Sequence, residues 1–290
     1  MILVADSGST NTNWCLLNAT TDIRYFDTEG YNPYFVSVSY IVQSLRADLP
    51  TNINPEQIRA IYFYGSGCFE EKTINIKSAL KQIFVQADIF IGLDLLGSAR
   101  AVLGDNPGFA AILGTGTNSC LYDGNKIIAN IDSLGYLMGD EGSGYYMGKK
   151  LLGDYIRGYM PVAVRTEFYK IYGISREEIM EQVYAEKLPN RYCAGFTRFI
   201  TESLSDKSYT SKIVKDSFID FFECLVTKYE NYKDYSFNCT GSIAFTFKDI
   251  LSETAALYGM KTGVILKTPI EGLAKYHKPV IVNKQTLKIT

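Results

Sequence analysis

The sequence predicts an α/β protein of two lobes, and three observations lead to this prediction. The chain has 290 residues, a length that suits two domains of about 100–200 residues each. A strand–loop–strand pattern occurs over residues 2–17 and again over residues 110–121, and strands alternate with amphipathic helices through much of the remaining chain. The clearest linker, GDNPG at residues 104–108, precedes the second copy. We therefore expect an N-terminal lobe over residues 1–107 and a C-terminal lobe over residues 108–290.

The composition favours a globular protein that acts on small molecules. Hydrophobic residues make up 47% of the chain and charged residues 21%, and no run of about 18 apolar residues predicts a membrane span. The net charge is −2, with lysine and arginine scattered, so neither nucleic acid nor a membrane surface is an expected partner. The N-terminus has no pattern of a secretory leader, so we expect a cytoplasmic location. The single histidine and the lack of C-x-x-C spacing among the six cysteines make a zinc site or a Ser/Cys–His nucleophile unexpected.

Both copies of the strand–loop–strand pattern contain a loop suited to phosphate. Residues 110–113 form a short apolar strand, and the GTGTNS that follows at residues 114–119 offers flexible backbone N–H donors and hydroxyl groups. Residues 6–13 provide a similar Gly/Ser/Thr loop after the first strand. The two copies share residues at one constant offset of 105, namely Thr10, Thr12, Asn13, Cys15 and Leu16 with Thr115, Thr117, Asn118, Cys120 and Leu121. This gapless alignment indicates an internal duplication, and we expect both loops to hold one polyphosphate.

Two acidic residues lie where α/β folds place both helix caps and chemistry. Asp94 follows a predicted strand at residues 89–91 and begins a helical run, so it can cap that helix or act at the carboxyl end of the strand. Asp140 lies in GDEGSG at residues 139–144, before a helix expected to reach about Tyr159. It can compensate the helix dipole or bind sugar hydroxyl groups at the helix N-terminus. The residues alone leave both alternatives open for each acid.

Three further segments contribute candidate residues or elements. Asn32 precedes a proline at a loop tip, which an Asx turn explains. A strand–Gly–helix arrangement at residues 241–242 can lay backbone against a flat ligand such as a nucleoside. Residues 161–232 predict a run of helices with a turn at residues 188–190, and Glu271 begins a last short helix.

Four motifs taken together resemble one family. They are DSGST at residues 6–10, GTGTNS at residues 114–119, GDEGSG at residues 139–144 and GS at residues 241–242. In this order and spacing the sequence resembles the actin-like sugar kinase and ATPase superfamily, and within it the N-acetylglucosamine kinase-like branch of the BadF/BadG/BcrA/BcrD ATPase family. GDEGSG after GTGTNS is typical of that branch, and the resemblance covers nearly the whole chain.

The resemblance implies an α/β, two-lobed actin-like ATPase fold of the ribonuclease H-like type. Each lobe then contains one copy of a duplicated mixed five-stranded sheet with flanking helices. The helices over residues 161–232 form an insertion in the C-terminal lobe, and whether the last helix returns to the N-terminal lobe stays open. The implied partners are ATP and a small amino sugar, with no nucleic acid and no membrane, and a homodimer is compatible with the family.

The resemblance also implies roles for individual residues. Asp94 is the implied general base on the sugar hydroxyl group, and Asp6 is implied to hold Mg²⁺ through water, so ATP and Mg²⁺ are the implied cofactors. The implied ATP and phosphate contacts are Asp6, Gly8, Ser9, Thr10, Asn11, Gly114, Thr115, Gly116, Gly241 and Ser242. The implied sugar contacts are Asn32, Asp94, Asn118, Gly135 and Asp140. Such a set agrees with phosphoryl transfer, which needs positioning and charge neutralisation more than covalent catalysis.

The implied activity is ATP-dependent phosphorylation of an amino sugar, N-acetylglucosamine to N-acetylglucosamine 6-phosphate, and two alternatives stay open. One is the ATPase activator of a radical dehydratase or reductase, which holds an iron–sulfur cluster by cysteines, although only Cys68 is predicted in a loop. The other is a nucleotide-binding sugar sensor without turnover, because relatives usually carry Lys or Arg where this chain has Asn11, and often Asp where it has Asn13. A GxxxxGK[ST] loop is absent from the sequence, which excludes ordinary P-loop NTPases.

Overall fold

The computed structural model describes residues 1–8, 10–18, 23–69, 71–186 and 188–286, with the backbone alone for residues 279–286. Ser9, one of the expected phosphate contacts, lies outside the described residues. The chain forms two compact units, the first comprising Met1–Asn106, Gly124–Lys126 and Thr268–Thr290, and the second comprising Pro107–Asp123 and Ile127–Lys267. Each unit contains a mixed five-stranded sheet with flanking helices, which confirms the predicted α/β fold class with its duplicated sheet.

The first sheet consists of β1 (Ile2–Ser7), β2 (Asn11–Leu17), β3 (Ile23–Glu29), β4 (Ala60–Gly65) and β5 (Asp88–Leu93). Its strand order is β3-β2-β1-β4-β5. The pairs β1–β2 and β2–β3 are antiparallel, whereas β1–β4 and β4–β5 are parallel. The carboxyl ends of β1, β4 and β5 therefore meet at one edge of the sheet.

The second sheet consists of β6 (Gly108–Leu113), β7 (Thr117–Tyr122), β8 (Ile127–Asn130), β9 (Phe237–Thr240) and β10 (Thr262–Leu266). Its order, β10-β9-β6-β7-β8, repeats that of the first sheet, with antiparallel pairs β6–β7 and β7–β8 and parallel pairs β6–β9 and β9–β10. The repeated order supports the internal duplication inferred from the loops.

The two hairpins that open the sheets differ by one residue in loop length. Ser7 pairs with Thr12 at the end of the first hairpin, and Leu113 pairs with Thr117 at the end of the second. Four residues therefore connect the paired strands in the first hairpin and three in the second. The gapless alignment holds for β2 and β7, which follow the loops. It is wrong for β1 and β6, which precede the loops, because the first loop has one residue more than the second. A loop can gain a residue without changing the register within either strand pair.

The helices of the described chain belong to both units. They are α1 (Val38–Asp48), α2 (Thr73–Ile83) and α3 (Asp94–Leu103) in the first unit; α4 (Gly135–Met138), α5 (Gly144–Arg157), α6 (Val162–Tyr172), α7 (Arg176–Ala185), α8 (Pro189–Gly195), α9 (Thr197–Glu202), α10 (Lys207–Cys224), α11 (Ser242–Thr246) and α12 (Lys248–Leu257) in the second; and α13 (Ile270–Thr286), again in the first. Among the residues that the structure describes, none of these helices combines the length and the apolar character needed to cross a membrane.

Two of the predicted local structures are wrong. The predicted turn at residues 188–190 contains the start of α8, because Pro189 occupies the first helical position, where its fixed φ suits a helix and its missing N–H costs nothing. The last helix is not short: α13 has 17 residues, and its first turns pack Ile270 and Leu273 into a hydrophobic core with Val4 of β1.

Each unit has its own hydrophobic interior. In the first unit, α1 and α2 cover one face of the sheet around Trp14 and Phe63, while α3 and α13 cover the other face. In the second unit, a single large core joins the sheet to the helices, with Phe109, Phe221 and Phe237 buried in it. Both units thus have the buried apolar interior that a stable sheet with covering helices requires.

Candidate functional site

Three parallel strands of the first sheet end side by side, and polar residues lie at this edge. The register pairs Asp6 of β1 with Tyr64 of β4, and Tyr64 with Gly92 of β5. Ser66 follows β4, and Asp94 follows β5. Ligands of α/β proteins bind outside the carboxyl ends of parallel strands. Asp6, Ser66 and Asp94 therefore form the candidate site of the first unit.

Asp94 is held by hydrogen bonds at the start of α3. Its Oδ1 accepts a hydrogen bond from the backbone N–H of Leu95 at 2.8 Å, and the hydroxyl group of Ser66 donates to the same carboxyl group. Burial raises the pKa of Asp94, and these hydrogen bonds oppose the rise. The N-cap of α3 is Leu93, and Asp94 is the first helical residue, so the expected capping role is wrong, although the carboxyl group contacts the first turn of the helix and lies at the ligand edge.

Asp6 is the second acid at this edge. Burial, and next the charge of Asp94, raise the pKa of Asp6 to about 8, so a cation beside it would favour the charged carboxylate. Within the described residues, no group of three or more His, Cys, Asp or Glu side chains could hold a metal ion. Mg²⁺ is commonly held by one or two carboxylates together with water and substrate phosphates, and a single carboxylate at Asp6 fits this pattern.

Asn32 lies against the turn that contains Ser66. Its Oδ1 accepts a hydrogen bond from the N–H of Tyr34 at 3.0 Å, which is the expected Asx turn. Gly67 has a φ of +74°, and a Cβ there would lie 2.7 Å from Oδ1 of Asn32, so glycine is what permits this approach. Ser66 and Gly67 are absent from the sequence-based set of site residues. The signal that could have found them is GSG at residues 65–67 directly after a buried strand, which resembles the signal of both phosphate loops.

The first phosphate loop is closed by backbone hydrogen bonds. The N–H of Gly8 donates to the carbonyl oxygen of Asn11 at 3.0 Å, and the N–H of Gly30 donates to that of Thr10 at 2.9 Å. The side chains of Thr10 and Asn11 are exposed, and no hydrogen bond ties either of them to another described residue. Both side chains therefore remain available to a ligand.

Asn13 lies directly opposite an aspartate on the neighbouring strand. It pairs with Asp27 across β2 and β3, and its Nδ2 donates to Oδ1 of Asp27 at 2.6 Å. An aspartate at position 13 would place two like charges opposite each other on neighbouring strands, which is destabilising. Asn13 is thus explained by its cross-strand neighbour.

The second phosphate loop leaves two backbone donors available. The N–H of Gly114 donates to the carbonyl oxygen of Gly116 at 3.0 Å, but within the described chain the N–H groups of Thr115 and Gly116 have no acceptor. The N–H of Gly144 donates to the carbonyl of Gly114 at 2.8 Å, and that of Tyr145 to the carbonyl of Thr115 at 3.1 Å. The first N–H groups of α5 therefore support the loop, and the N–H groups of the loop are the ones that can bind an anion.

Asp140 contacts the second phosphate loop and does not cap α5. Its Oδ1 accepts a hydrogen bond from the N–H of Thr117 at 3.0 Å, and a Cβ at Gly116 would lie 3.0 Å from its Oδ2. The cap of α5 is Ser143, whose hydroxyl group accepts from the N–H of Tyr146 at 3.1 Å, so the capping alternative for Asp140 is wrong. Burial raises the pKa of Asp140 to about 6.

Asn118 and Gly135 are both accessible in the second unit. Oδ1 of Asn118 accepts hydrogen bonds from Nδ2 of Asn130 and from the N–H of Ser119, both at 2.9 Å. Its own amide nitrogen has no acceptor among the residues described. Gly135 is exposed, with a φ of +64° and no atom within 4 Å of an added Cβ. Asn118 adjoins the phosphate loop through Thr117, and Gly135 begins the short helix α4, which is followed by the buried Asp140.

Gly241 brings the start of α11 against the second phosphate loop. It has a φ of +123°, and a Cβ there would overlap the carbonyl oxygen of Leu113, the residue before the loop. The N–H of Gly241 donates to the carbonyl oxygen of Leu266 at 2.9 Å, and Ser242 is the exposed first residue of α11. The ends of β6, β9 and β10 therefore lie together, as the ends of the equivalent strands do in the first unit.

The cysteines do not form the exposed set that an iron–sulfur activator needs. Cys68 follows β4 in a loop, as predicted, but its thiol is buried, and burial together with the charge of Asp94 raises its pKa to about 12. Of the six cysteines, only Cys224 is exposed. A metal ligand must be a thiolate that can reach the metal, so these side chains do not favour the activator alternative.

Comparison with known proteins shows similarity along the whole chain. No family model and no curated protein matches it. Among solved structures, the putative N-acetylglucosamine kinase of Porphyromonas gingivalis is 39% identical, with a TM-score of 0.91 over 96% of this chain and 99% of that one. A putative N-acetylglucosamine kinase of Chromobacterium violaceum is 15% identical, with a TM-score of 0.71 over 95% of this chain and 98% of that one. A ROK family glucokinase of Streptomyces griseus, in complex with glucose and AMPPNP, is 12% identical, with a TM-score of 0.52 over 95% and 97% of the two chains. The last two show the fold alone.

Proposed function

This chain belongs to the N-acetylglucosamine kinase-like family of actin-like ATPases, and we propose that it is an ATP-dependent kinase of an amino sugar. The observation that carries the proposal is the placement of Asp94. Its carboxyl group lies at the ligand edge of the first sheet and receives hydrogen bonds from Leu95 and Ser66. An oriented carboxylate whose pKa is raised is suited to accept the proton of a hydroxyl group near neutral pH.

In the proposed reaction, a sugar hydroxyl group gives its proton to Asp94 while its oxygen forms a bond to the γ-phosphorus of ATP. The bond from that phosphorus to the bridging oxygen breaks, and ADP leaves with the electron pair. The products are the sugar phosphate, ADP and a proton that Asp94 then releases to water. Such transfers depend mainly on alignment and on stabilisation of charge.

Backbone groups of the second unit support the ATP part of the proposal. The available N–H groups of Thr115 and Gly116 suit phosphate oxygens, and the close approach at Gly241 gives an adenosine a flat backbone surface. In the first unit, Thr10 is proposed to contact a phosphate. Asp6 would hold Mg²⁺ through water, and that ion, when bound, supplies positive charge to the phosphates.

We propose N-acetylglucosamine as the sugar and its 6-hydroxyl group as the acceptor. Support for the sugar comes from the 39% identity to the putative N-acetylglucosamine kinase of Porphyromonas gingivalis, whereas the 6-hydroxyl group is implied by the resemblance alone. The amide nitrogen of Asn118 is available as a donor, and Asn32, Gly135 and Asp140 are the other proposed sugar contacts. A carboxyl group and amide groups can bind several hydroxyl groups of one sugar at once.

The experiment is a coupled assay of ADP release with N-acetylglucosamine, glucosamine, N-acetylmuramic acid and glucose, each with ATP and Mg²⁺. We expect release to depend on sugar and to be fastest with N-acetylglucosamine, with the 6-phosphate as product by mass and NMR. A reaction without sugar measures uncoupled ATP hydrolysis. ADP release that no sugar stimulates would contradict the proposal, and ATP binding without any turnover would instead favour the sensor.

A further inference from the structure

The helix that carries Asp94 is in close contact with the strand beside it and with the last helix. In α3, a Cβ at Gly97 would lie 2.8 Å from the Cβ of Tyr64 on β4. In α13, a Cβ at Gly272 would lie 2.8 Å from the Cα of Ala101 on α3. Glycine at both positions permits these approaches, and such close packing leaves little room for displacement. α3 is therefore confined on two sides.

Three polar side chains join the same three elements. The hydroxyl oxygen of Tyr64 lies 2.8 Å from Nη1 of Arg100 on α3 and 2.8 Å from Nε2 of His277 on α13. Because arginine can only donate, the hydroxyl group accepts from Arg100, and it forms a second hydrogen bond with Nε2 of His277. Burial, and then the charge of Arg100, lower the pKa of His277 to about 3, so the ring is neutral. Its ring also stacks on Tyr62, with 4.0 Å between the ring centroids.

Two members of this group lead directly to the candidate site. Tyr64 is separated by one residue from Ser66, whose hydroxyl group donates to the carboxyl group of Asp94. Arg100 lies on the helix that begins at Asp94. A shift of Tyr64 against Arg100 would therefore change the position of Ser66 relative to Asp94.

We infer that Tyr64, Arg100 and His277 form a positioning triad that sets the carboxyl group of Asp94 for proton transfer, so that the C-terminal helix contributes to turnover. This inference rests on the proposed role of Asp94 as general base. The three side chains are positioning residues, because they act through Ser66 and through the helix that begins at Asp94. Nothing in the motifs of the sequence points to them, since they come from three separate segments.

The first test replaces Tyr64 by Phe, which keeps the ring and removes the hydroxyl group. We expect kcat to fall about tenfold with little change in KM for ATP, because a small misplacement of a catalytic group mainly slows the chemical step. The matched control is Tyr209→Phe in the second unit. Tyr209 lies on α10, and its hydroxyl group donates a hydrogen bond to Oδ2 of Asp154 at 3.0 Å. The control keeps the wild-type kcat per folded molecule.

A second pair of variants separates the hydrogen bond from simple packing. In His277→Gln the side-chain amide can still form a hydrogen bond with the hydroxyl group of Tyr64, whereas His277→Leu removes this bond. We expect His277→Gln to keep most of kcat and His277→Leu to lose about tenfold, because a small displacement of a catalytic group slows the chemical step. Equal kcat values for the two variants, each corrected for the folded fraction, would overturn the inference.

Hydrogen exchange gives a readout that does not depend on activity. Exchange at the first turn of α3, which includes the N–H of Leu95, should rise in Tyr64→Phe and stay unchanged in Tyr209→Phe. A rise in a protein that phosphorylates no sugar supports the positioning link and refutes only the proposed function. Unchanged exchange in Tyr64→Phe overturns the inference, whatever the activity.

Discussion

At the scale of single residues, the candidate site is defined by acids in environments that disfavour charge. Burial raises the pKa of Asp6 to about 8 and that of Asp140 to about 6, and the charge of Asp94 adds to the rise at Asp6. Asp140 obtains its stabilising partner within the protein, from the N–H of Thr117. A bound cation and phosphates would therefore have a larger effect on the pKa of Asp6 than on that of Asp140. Asn11 stands in the first loop where the resemblance implies a lysine or arginine, and it carries no charge.

The exposed side chain of Asn11 provides the first prediction. Its backbone carbonyl closes the loop, and this hydrogen bond from Gly8 does not depend on the side chain. Asn11→Lys should therefore preserve the loop and add a cation where charge develops during transfer. We expect kcat to rise about tenfold, with a smaller change in KM for ATP, because electrostatic groups act mostly on the transition state. Steady-state kinetics with ATP and the preferred sugar measure this.

A control variant tests whether the gain is local. Gln57 is exposed and adjoins the amino end of β4, at the opposite edge of the first sheet. Gln57→Lys adds the same charge there and should leave kcat unchanged. A loss of both ATP affinity and rate in Asn11→Lys would show that the loop depends on the asparagine side chain.

At the scale of elements, the sequence predicts regular segments well and their contacts less well. The glycine-rich loops, the strands before them and the helix at Asp94 follow from local patterns of apolar residues and glycine. The extra residue in the first hairpin loop does not follow from such patterns, because it depends on the register in which β1 and β2 pair. The hydrogen bond from Thr117 to Asp140 and the contact of Ser66 with Asp94 join segments 23 and 28 residues apart, and no periodic pattern in the sequence encodes such contacts.

Gly241 allows the role of one such contact to be measured. It combines a left-handed φ of +123° with a close approach to Leu113, whereas Gly173 has a φ of +61° and no atom within 4 Å of an added Cβ. Gly173→Ala should cost about 1 kcal/mol of unfolding free energy, from the left-handed backbone alone. Gly241→Ala should cost clearly more, because the backbone of the phosphate loop must also move. Chemical denaturation measures both, and equal losses would contradict the close approach.

At the scale of the whole molecule, two units with equivalent sheets and separate cores make up the fold, and α13 adds a buried histidine to the first unit. Burial, and then the charge of Arg100, lower the pKa of His277 to about 3. Tyr62, Tyr64 and Tyr276 also face this ring. Global stability therefore depends on keeping His277 neutral.

The sign of the pH dependence follows from this shift. In the unfolded chain His277 has a pKa near 6.5, so its contribution to stability is fully present above about pH 6.5 and is lost as the pH falls toward 3. Asp6 and Asp140 act in the opposite direction, because their raised pKa values favour the folded state at lower pH. Comparing the unfolding free energy of the wild type with that of His277→Gln isolates the contribution of the histidine to this pH dependence. The wild type should lose up to about 1.4 kcal/mol per pH unit relative to the variant. Denaturant unfolding at pH 7.5 and pH 4.5 measures this. An equal difference in unfolding free energy between the wild type and His277→Gln at both pH values would contradict the prediction.

The central claim is that Asp94 takes the proton of a sugar hydroxyl group, and one comparison tests it most directly. Asp94→Asn keeps the shape of the side chain and removes its basicity, and Asp88→Asn makes the same change at the exposed start of β5. We expect Asp94→Asn to lower kcat for N-acetylglucosamine about 100-fold or more, the usual contribution of a general base, and to keep an ATP affinity close to that of the wild type. Asp88→Asn should keep an activity close to that of the wild type. If Asp94→Asn unfolds at a lower temperature yet keeps wild-type turnover per folded molecule, Asp94 only supports the start of α3, and the account of catalysis is wrong.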